Sequence, residues 1–557
     1  MQYKKMKSKK HILLLAASLL LIFSQCNSPR YVKYQNRAYK KVHHSIEKSE
    51  NFKTYNKYQK DFLVLANIVK DAYPNYQEYL STSQWQKNVD LGLANLSVAC
   101  DTTAILEYQK FLARLKNNHT LVVYPQIYNM GDKIFLFAVF HLTDKWKIFD
   151  IHKDYPTELI KTELLAINDI PIDTFFSKIK PYLGEESEEM MYNKASSNIL
   201  LGRSVFLKQL GLEYKSNPDS MKLTVKDSLQ VVKYFMIHAI KFKDGVEWSD
   251  KGYGTRQTIA KTDSGYIYRF YPQHKLAYLQ LNTFLDKKAF TKGIKSEVPI
   301  VFWPFAFNML RKAYNGKPSG RLANVKPGTE NMTKFYEVFF TKLKTTDCEN
   351  LIIDVRNNSG GDIFYTYQLI SFLSNKSDIK IFTRYIKYTD FYKSTNDIKK
   401  IQQNYNSLEK TKINYDTLLN VTSLEDDYNV FDKMNDTKFE YYVNTKDKKF
   451  SGNVYVLTSP NSASAATAFP VLVQDNEIGT IVGRSPANRT AKQSSFTKFR
   501  LPNTSIVVSM SSIYFLRPDI LNTNEILIPD YYVPIELSNE DYTFKYVLKL
   551  IENKKNK

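Results

Sequence analysis

Between about Tyr58 and Leu115 apolar residues return at helical intervals: Phe62, Leu65, Ala66 and Val69, then Leu91, Leu93 and Leu96, then Ile105, Tyr108, Phe111, Leu112 and Leu115. Spacings of three and four place side chains on one helix face, so the pattern predicts a helical subdomain over 58–125. Over 131–245 the apolar runs shorten to strand length, as in IFLFAVFHL and WKIFDI, and predict a β-rich domain. From 275 to 557 strands and helices alternate. The strand LAYLQLNTF (276–284) is followed by a helical FYEVFFTKLKTT, a strand LIIDVR, a helical FYTYQLISFLSN, and later a strand VYVLTS running into a further helix. Repeated strand and helix units predict α/β layer packing, so the chain is expected to be a multi-domain α/β protein. Two stretches break that rhythm, an irregular one near 285–333 and a polar one near 385–448 containing SLEDD, and both read as insertions into the core.

The N-terminus carries a different signal. Lys4, Lys5, Lys7, Lys9 and Lys10 precede an apolar run from Ile12 to Phe23, too short and too asymmetrically flanked to read as a membrane span. It predicts a secretory signal over 1–25. Phe23-Ser24-Gln25-Cys26 resembles a bacterial lipoprotein processing site, with Gln25 where a small residue is usual. That resemblance implies lipidation of Cys26, a polar tether over 26–57, and a cell-envelope lipoprotein held outside the cytoplasm on a periplasmic or outer-membrane face. A signal cleaved without lipidation, or retained as an anchor, is the alternative.

The chain has 557 residues, 43% of them hydrophobic and 14% aromatic, enough for two to four folded domains. Its formal charge of +22 raises the question of nucleic acid, but the lysines are scattered rather than gathered into an arm or an aromatic-studded patch, so no nucleic-acid partner is expected. Beyond Cys26 only Cys100 and Cys348 remain, too few and too far apart for a disulfide framework. The eight histidines form no metal-binding motif, so neither metal nor cofactor is expected.

The candidate chemistry lies in two segments. In LIIDVRNNSGGD (351–362), Gly360 and Gly361 allow a carbonyl oxygen to approach backbone N–H donors; in VYVLTSPNSASAATAFPVLVQDN (454–476), Ser464 opens a helix, with the Ala465 N–H just beyond it. Together they make an oxyanion hole beside a nucleophile. Their wording and order resemble the serine peptidases that include the C-terminal processing (tail-specific) and tricorn proteases, whose members read close to LIIDLRNNGGG and SASASE followed by QD and a VGEP turn. The resemblance implies a core of the Clp protease and crotonase type and hydrolysis of a polypeptide through an acyl-enzyme on Ser464. Counting back from Gln474-Asp475 selects Ser464 over Ser459 and Ser462, and Ser462 is then expected to cap the helix.

A serine hydroxyl needs a base. In the tail-specific branch a lysine lies fourteen residues after the aspartate of QD, but here that position is Arg489, which stays protonated; Lys492 is three residues too far. The tricorn-like branch places a histidine in a segment resembling L-x-D-G-H-T, and this chain has His119-Thr120 after Asn117-Asn118. Glu525, ahead of Ile528-Pro529-Asp530, resembles the family's closing glutamate and is the expected partner of His119. The chain is therefore expected to stand closer to the tricorn-like branch.

TELLAINDIPIDTFFSKI resembles a PDZ element, with Asn168 and Pro171 matching and Asp169 replacing glycine; a plain strand, turn and helix unit is the other reading. Ser359 in the glycine turn, Thr467 where glutamate is common, and Pro470 inside the helix depart from the family pattern. They leave open a peptide-binding protein without turnover; another acyl-transfer enzyme on the same core is a third reading. Oligomeric state is not legible.

Overall fold

The computed structural model describes residues 50–123, 133–142, 144–187, 190–192, 204–241, 249, 265–286, 331–376, 378–389, 391–392, 418–422, 430–494, 496–534 and 540–555. The expected signal, Cys26, most of the tether and most of 285–333 lie outside these residues.

Three helices, Lys57–Ala72, Thr82–Asn95 and Asp101–Ala113, form the N-terminal subdomain. The first two begin with reciprocal caps, Asn56 with Gln59 and Ser81 with Gln84, which satisfy donors the helix cannot. Their apolar faces meet around Phe62, whose ring packs edge-on to Phe111. The fully buried Asp61 carboxylate accepts the Asn503 and Thr504 N–H groups and both their side chains. It thereby holds the loop between strands Thr497–Arg500 and Val507–Met510, which lie more than four hundred residues later in the chain. Strand Leu121–Val123 pairs antiparallel with Val507–Met510, so the segment carrying His119 is fixed between both ends of the molecule.

The β-rich domain is a mostly antiparallel sheet in the order Phe137–Leu142, Lys145–Ile151, Glu163–Ile167, Ser220–Lys226, Val232–His238. Strand Ile170–Pro171 turns back on Glu163–Ile167, and helix Ile172–Ile179 follows it. Asn168 (φ 52°) and Asp169 (φ 63°) occupy the tight turn in left-handed conformations. These are the two residue types besides glycine that tolerate that region best, so Asp169 fits where glycine was expected. Residues of this sheet, the N-terminal helices and the 497–510 hairpin share one hydrophobic core.

The catalytic segment is a six-stranded sheet in the order Tyr266–Tyr271, Leu276–Leu281, Asn350–Asp354, Asn453–Thr458, Thr480–Gly483, Tyr531–Tyr532. The first pair is antiparallel and the rest parallel. The second and third strands are buried along their whole length, as a sheet covered on both faces requires. Helices Met332–Lys344, Phe364–Leu373 and Ala465–Asp475 pack on one face through Phe340, Phe372 and Phe469, and Val547 and Ile551 of helix Tyr542–Lys555 pack on the other. The stretch expected as an insertion at 385–448 is tied into this body. Strand Thr383–Lys387 pairs with Ile513–Leu516, and Val430, Met434, Tyr441 and Val443 are buried in the core. Its low aliphatic content hides that packing because tyrosine and methionine do much of the filling.

Arg356 joins the glycine-turn strand to the C-terminal helix. Its guanidinium makes paired 2.7 Å bonds to the two Asp541 oxygens and further bonds to both oxygens of Asp354, which is wholly buried. A guanidinium left with half its partners in such a site is costly, so Asp541→Ala is expected to lower stability by about 3 kcal/mol, read from the midpoint of urea unfolding.

Candidate active site

Ser464 sits at the junction of strand Asn453–Thr458 and helix Ala465–Asp475 with φ 55° and ψ −121°. That conformation is unusual for a residue bearing a side chain, and its side chain makes no capping bond to the helix. Instead Ser464 lines a cavity of about 300 Å³ together with His119, Gly361, Ala465, Asn488 and Arg489. The other walls include Ile363, Phe382, Val471 and Phe515, which make one end apolar. Ser462 does not fill the capping role expected of it. It is fully buried, and its hydroxyl donates to the Val355 carbonyl at 2.9 Å and accepts the Ser459 N–H at 3.1 Å, tying the serine loop to the glycine-turn strand. The helix's first turn is closed by Thr467, whose hydroxyl donates to the Ser462 carbonyl at 3.0 Å. That gives the threonine at the usual glutamate position a local structural task. Pro470 is accommodated in a helix that continues to Asp475.

The glycine turn faces this loop. Gly360 (φ 100°) and Gly361 (φ 145°) hold conformations that side chains disfavour, and neither has room for one. A Cβ on Gly360 would lie 2.6 Å from the Ala463 carbonyl oxygen and from Ser464 Cβ, and one on Gly361 would lie 2.3 Å from the Phe284 carbonyl oxygen. Ser359 is exposed and lies outside the positive-φ region, so the serine in place of a first glycine leaves the turn intact. The two glycines divide their work. The Gly360 N–H donates to Asn358 Oδ1 at 2.8 Å, which corrects its expected place as an oxyanion donor: its part is to let the backbone come close. The neighbouring bridge to Phe284 uses the Gly360 carbonyl and the Asp362 N–H, leaving the Gly361 N–H facing the cavity side, as is the Ala465 N–H at the first turn of the helix.

His119 reaches the same cavity from the end of the helical subdomain, its ring stacked on Phe496 with centroids 6.0 Å apart. Asn117, where aspartate is usual, organises the turn through its side chain. Its Oδ1 accepts the His119 N–H and the hydroxyls of Thr120 and Ser511. The left-handed residue of the turn is Lys116 (φ 45°), so neither asparagine needs that conformation.

Glu525 is not part of the cavity lining. Its carboxylate lies 3.5 Å from Arg489 Nε, and its side chain is 51% exposed. Arg489, at the position of the tail-specific lysine, also donates to the Tyr79 hydroxyl at 2.7 Å and lies over that ring. Asp475 of the QD pair makes a buried double contact with Arg517 and accepts the Asp519 N–H, joining the serine helix to the YFLRPD segment.

Two residues at the site escaped the sequence reading. Asn488 accepts the Ser464 N–H at 2.6 Å through Oδ1, fixing the backbone of the residue at the helix start. Behind it lies Glu186, a buried carboxylate from the far side of the β-rich domain, on which Asn488, Asn117, Asn118 and Arg489 converge. Burial pushes its carboxyl up to about 7, against the lowering effect of those donors. No local pattern marked either one: Glu186 is one acid among several in GEESEE, and an asparagine in a loop carries no periodicity.

No curated protein matches the chain. Among solved structures, mature CPAF complexed with lactacystin is similar at 15% identity, covering 89% of this chain and 98% of that one with a TM-score of 0.58; uncomplexed mature CPAF is similar at 14% identity over the same shares, with 0.56. At such identities the likeness is one of fold. The photosystem II D1 C-terminal processing protease, at 11% identity and 89% and 97% coverage, has a TM-score of 0.39, too loose to argue from. The profile of peptidase family S41 matches residues 321–533, which hold the glycine turn, the serine helix and Glu525. The chain belongs to peptidase family S41 and is a serine-type peptidase.

Proposed function

We propose that this peptidase is an endopeptidase that cleaves unfolded or extended polypeptide through an acyl-enzyme on Ser464. The observation that carries the reading is the meeting of Ser464, His119, Gly361 and Ala465 around one cavity with an apolar end. In this mechanism His119 takes the hydroxyl proton as Ser464 Oγ attacks the scissile carbonyl, and the Gly361 and Ala465 N–H groups receive the oxyanion. His119 then protonates the leaving amine, and water repeats the sequence to release the acyl group. Glu525 balances the charge that develops on His119, acting from the rim where Arg489 holds it. A histidine base with a cationic Arg489 at the lysine position favours the tricorn-like branch.

The N-terminal reading adds location: export by the 1–25 signal and tethering to the cell envelope through lipid on Cys26. The β-rich domain, as a PDZ-like unit, would present a sheet edge to an extended substrate. A second reading, a peptide-binding protein without turnover, draws on the Glu525 and Arg489 ion pair, since a carboxylate engaged by arginine serves a histidine less well. Incubation of the purified chain with an unfolded polypeptide separates the two. Cleavage that Ser464→Ala reduces by roughly 10⁴-fold or more, with unchanged melting temperature, is the expected result; binding without cleavage by the wild type selects the second reading.

A further inference from the structure

The proposed chemistry places the nucleophile and the base on segments more than three hundred residues apart, and one side chain touches the frame of both. Glu186 Oε1 accepts the Asn117 side-chain amide at 3.1 Å and the Asn118 N–H at 3.3 Å, both in the turn that carries His119. The same oxygen accepts Asn488 Nδ2 at 3.1 Å, and Asn488 Oδ1 in turn holds the Ser464 N–H. Asn488 Nδ2 also donates to Asn118 Oδ1 at 2.9 Å, closing the loop between the two segments. Glu186 Oε2 accepts the Arg489 N–H, which orders the residue after Asn488.

We propose that Glu186 is a positioning residue that sets the relative placement of Ser464 and His119, by accepting hydrogen bonds from both supporting loops at once. The inference rests on the acyl-enzyme reading of Ser464 and His119. Its physical basis is that every group aimed at this carboxyl is a donor. An ionised carboxylate, with acceptor sites only, suits all of them; a protonated carboxyl must present an O–H to at least one N–H and loosens the joint. A structure built only for stability has little reason to bury a charge here, because an apolar or amide side chain avoids the desolvation cost.

The groups that face Glu186 narrow the pH range of interest. Arg489 stays cationic, and burial raises the hydroxyls of Tyr73 and Tyr79 on the helical subdomain far above neutrality. His119 lies on the turn it supports, and Glu185, its neighbour in the chain, is a second buried carboxyl. Burial likewise lifts the Glu186 carboxyl toward neutrality. Its protonation therefore adds to that of His119 as pH falls, and the variant at 186 assigns the extra proton.

The test is the second-order rate of fluorophosphonate labelling of the full chain between pH 5 and 9, for wild type, Glu186→Gln and Glu186→Asp, with polypeptide hydrolysis measured alongside. The expected result at pH 8 is labelling of Glu186→Gln slowed roughly 30- to 100-fold, a matching fall in kcat, KM changed less than about threefold, and partial recovery in Glu186→Asp. Below pH 6 the logarithm of the wild-type rate is expected to fall with a slope approaching two, and that of Glu186→Gln with a slope of one. Wild-type labelling rates in folded Glu186→Gln overturn the proposal. Should that variant fail to fold, a wild-type slope of one overturns it equally. A folded wild type that does not label overturns the reading of Ser464 itself, and this proposal with it, which distinguishes the two failures.

Discussion

His119→Gln is expected to lower polypeptide hydrolysis by roughly 10⁴-fold or more while leaving the melting temperature within a few degrees of wild type. Glutamine preserves a polar side chain of similar reach but has no group that accepts a proton near neutral pH, so the substitution removes general base catalysis and little else. The turn that carries position 119 does not depend on the imidazole. Its shape comes from Asn117 Oδ1, which accepts the backbone N–H of residue 119 and the hydroxyls of Thr120 and Ser511, and from Glu186 behind it. The lost contact is the stack on Phe496, a side chain that is itself about half exposed and contributes little to stability. A large loss of rate with an intact fold is therefore the signature expected of a base, and an equal loss of both would mark a structural histidine.

Gly360→Ala is expected to remove activity by a different route. The added Cβ meets the Ala463 oxygen and Ser464 Cβ at 2.6 Å, contacts that no rotamer change relieves because two of the three nearest atoms are backbone or Cβ close to it. Backbone strain at φ 100° adds to the clash. The loss of stability is expected to be about 3 kcal/mol or more by urea unfolding, with the serine displaced from the Gly361 donor even where the protein stays folded. Ser359→Gly, one residue earlier, is the matched control. It is exposed and unstrained, and is expected to change stability by less than about 1 kcal/mol and activity hardly at all.

The contrast between these adjacent positions explains what was legible in the sequence. Gly360 and Gly361 could be read because a backbone requirement, room and positive φ, leaves a local mark in residue type. The fully buried strands LAYLQL and NLIID, and the helix after Ser464, were legible for the same reason: strand and helix periods are properties of short segments. Ser462 misled because a serine near a helix start usually caps, whereas here a neighbouring strand offers the Val355 carbonyl and takes the hydroxyl instead. The packing of 385–448 was hidden because its apolar contributions are few and widely spaced. Glu186 and Asn488 were invisible for a deeper reason. Their roles are defined by partners across the fold, Asn488 for Asn118 and Ser464, Glu186 for both loops, and no window of sequence contains both sides of such a contact.

The central claim is that Ser464 is an activated nucleophile. Its most direct test is reaction of the purified chain with a fluorophosphonate probe, followed by mass spectrometry of the peptide that carries the adduct. The account predicts a single stoichiometric adduct on Ser464, absent in Ser464→Ala and formed far more slowly in His119→Gln. A folded wild-type chain that forms no adduct, or forms it on another residue, would contradict it.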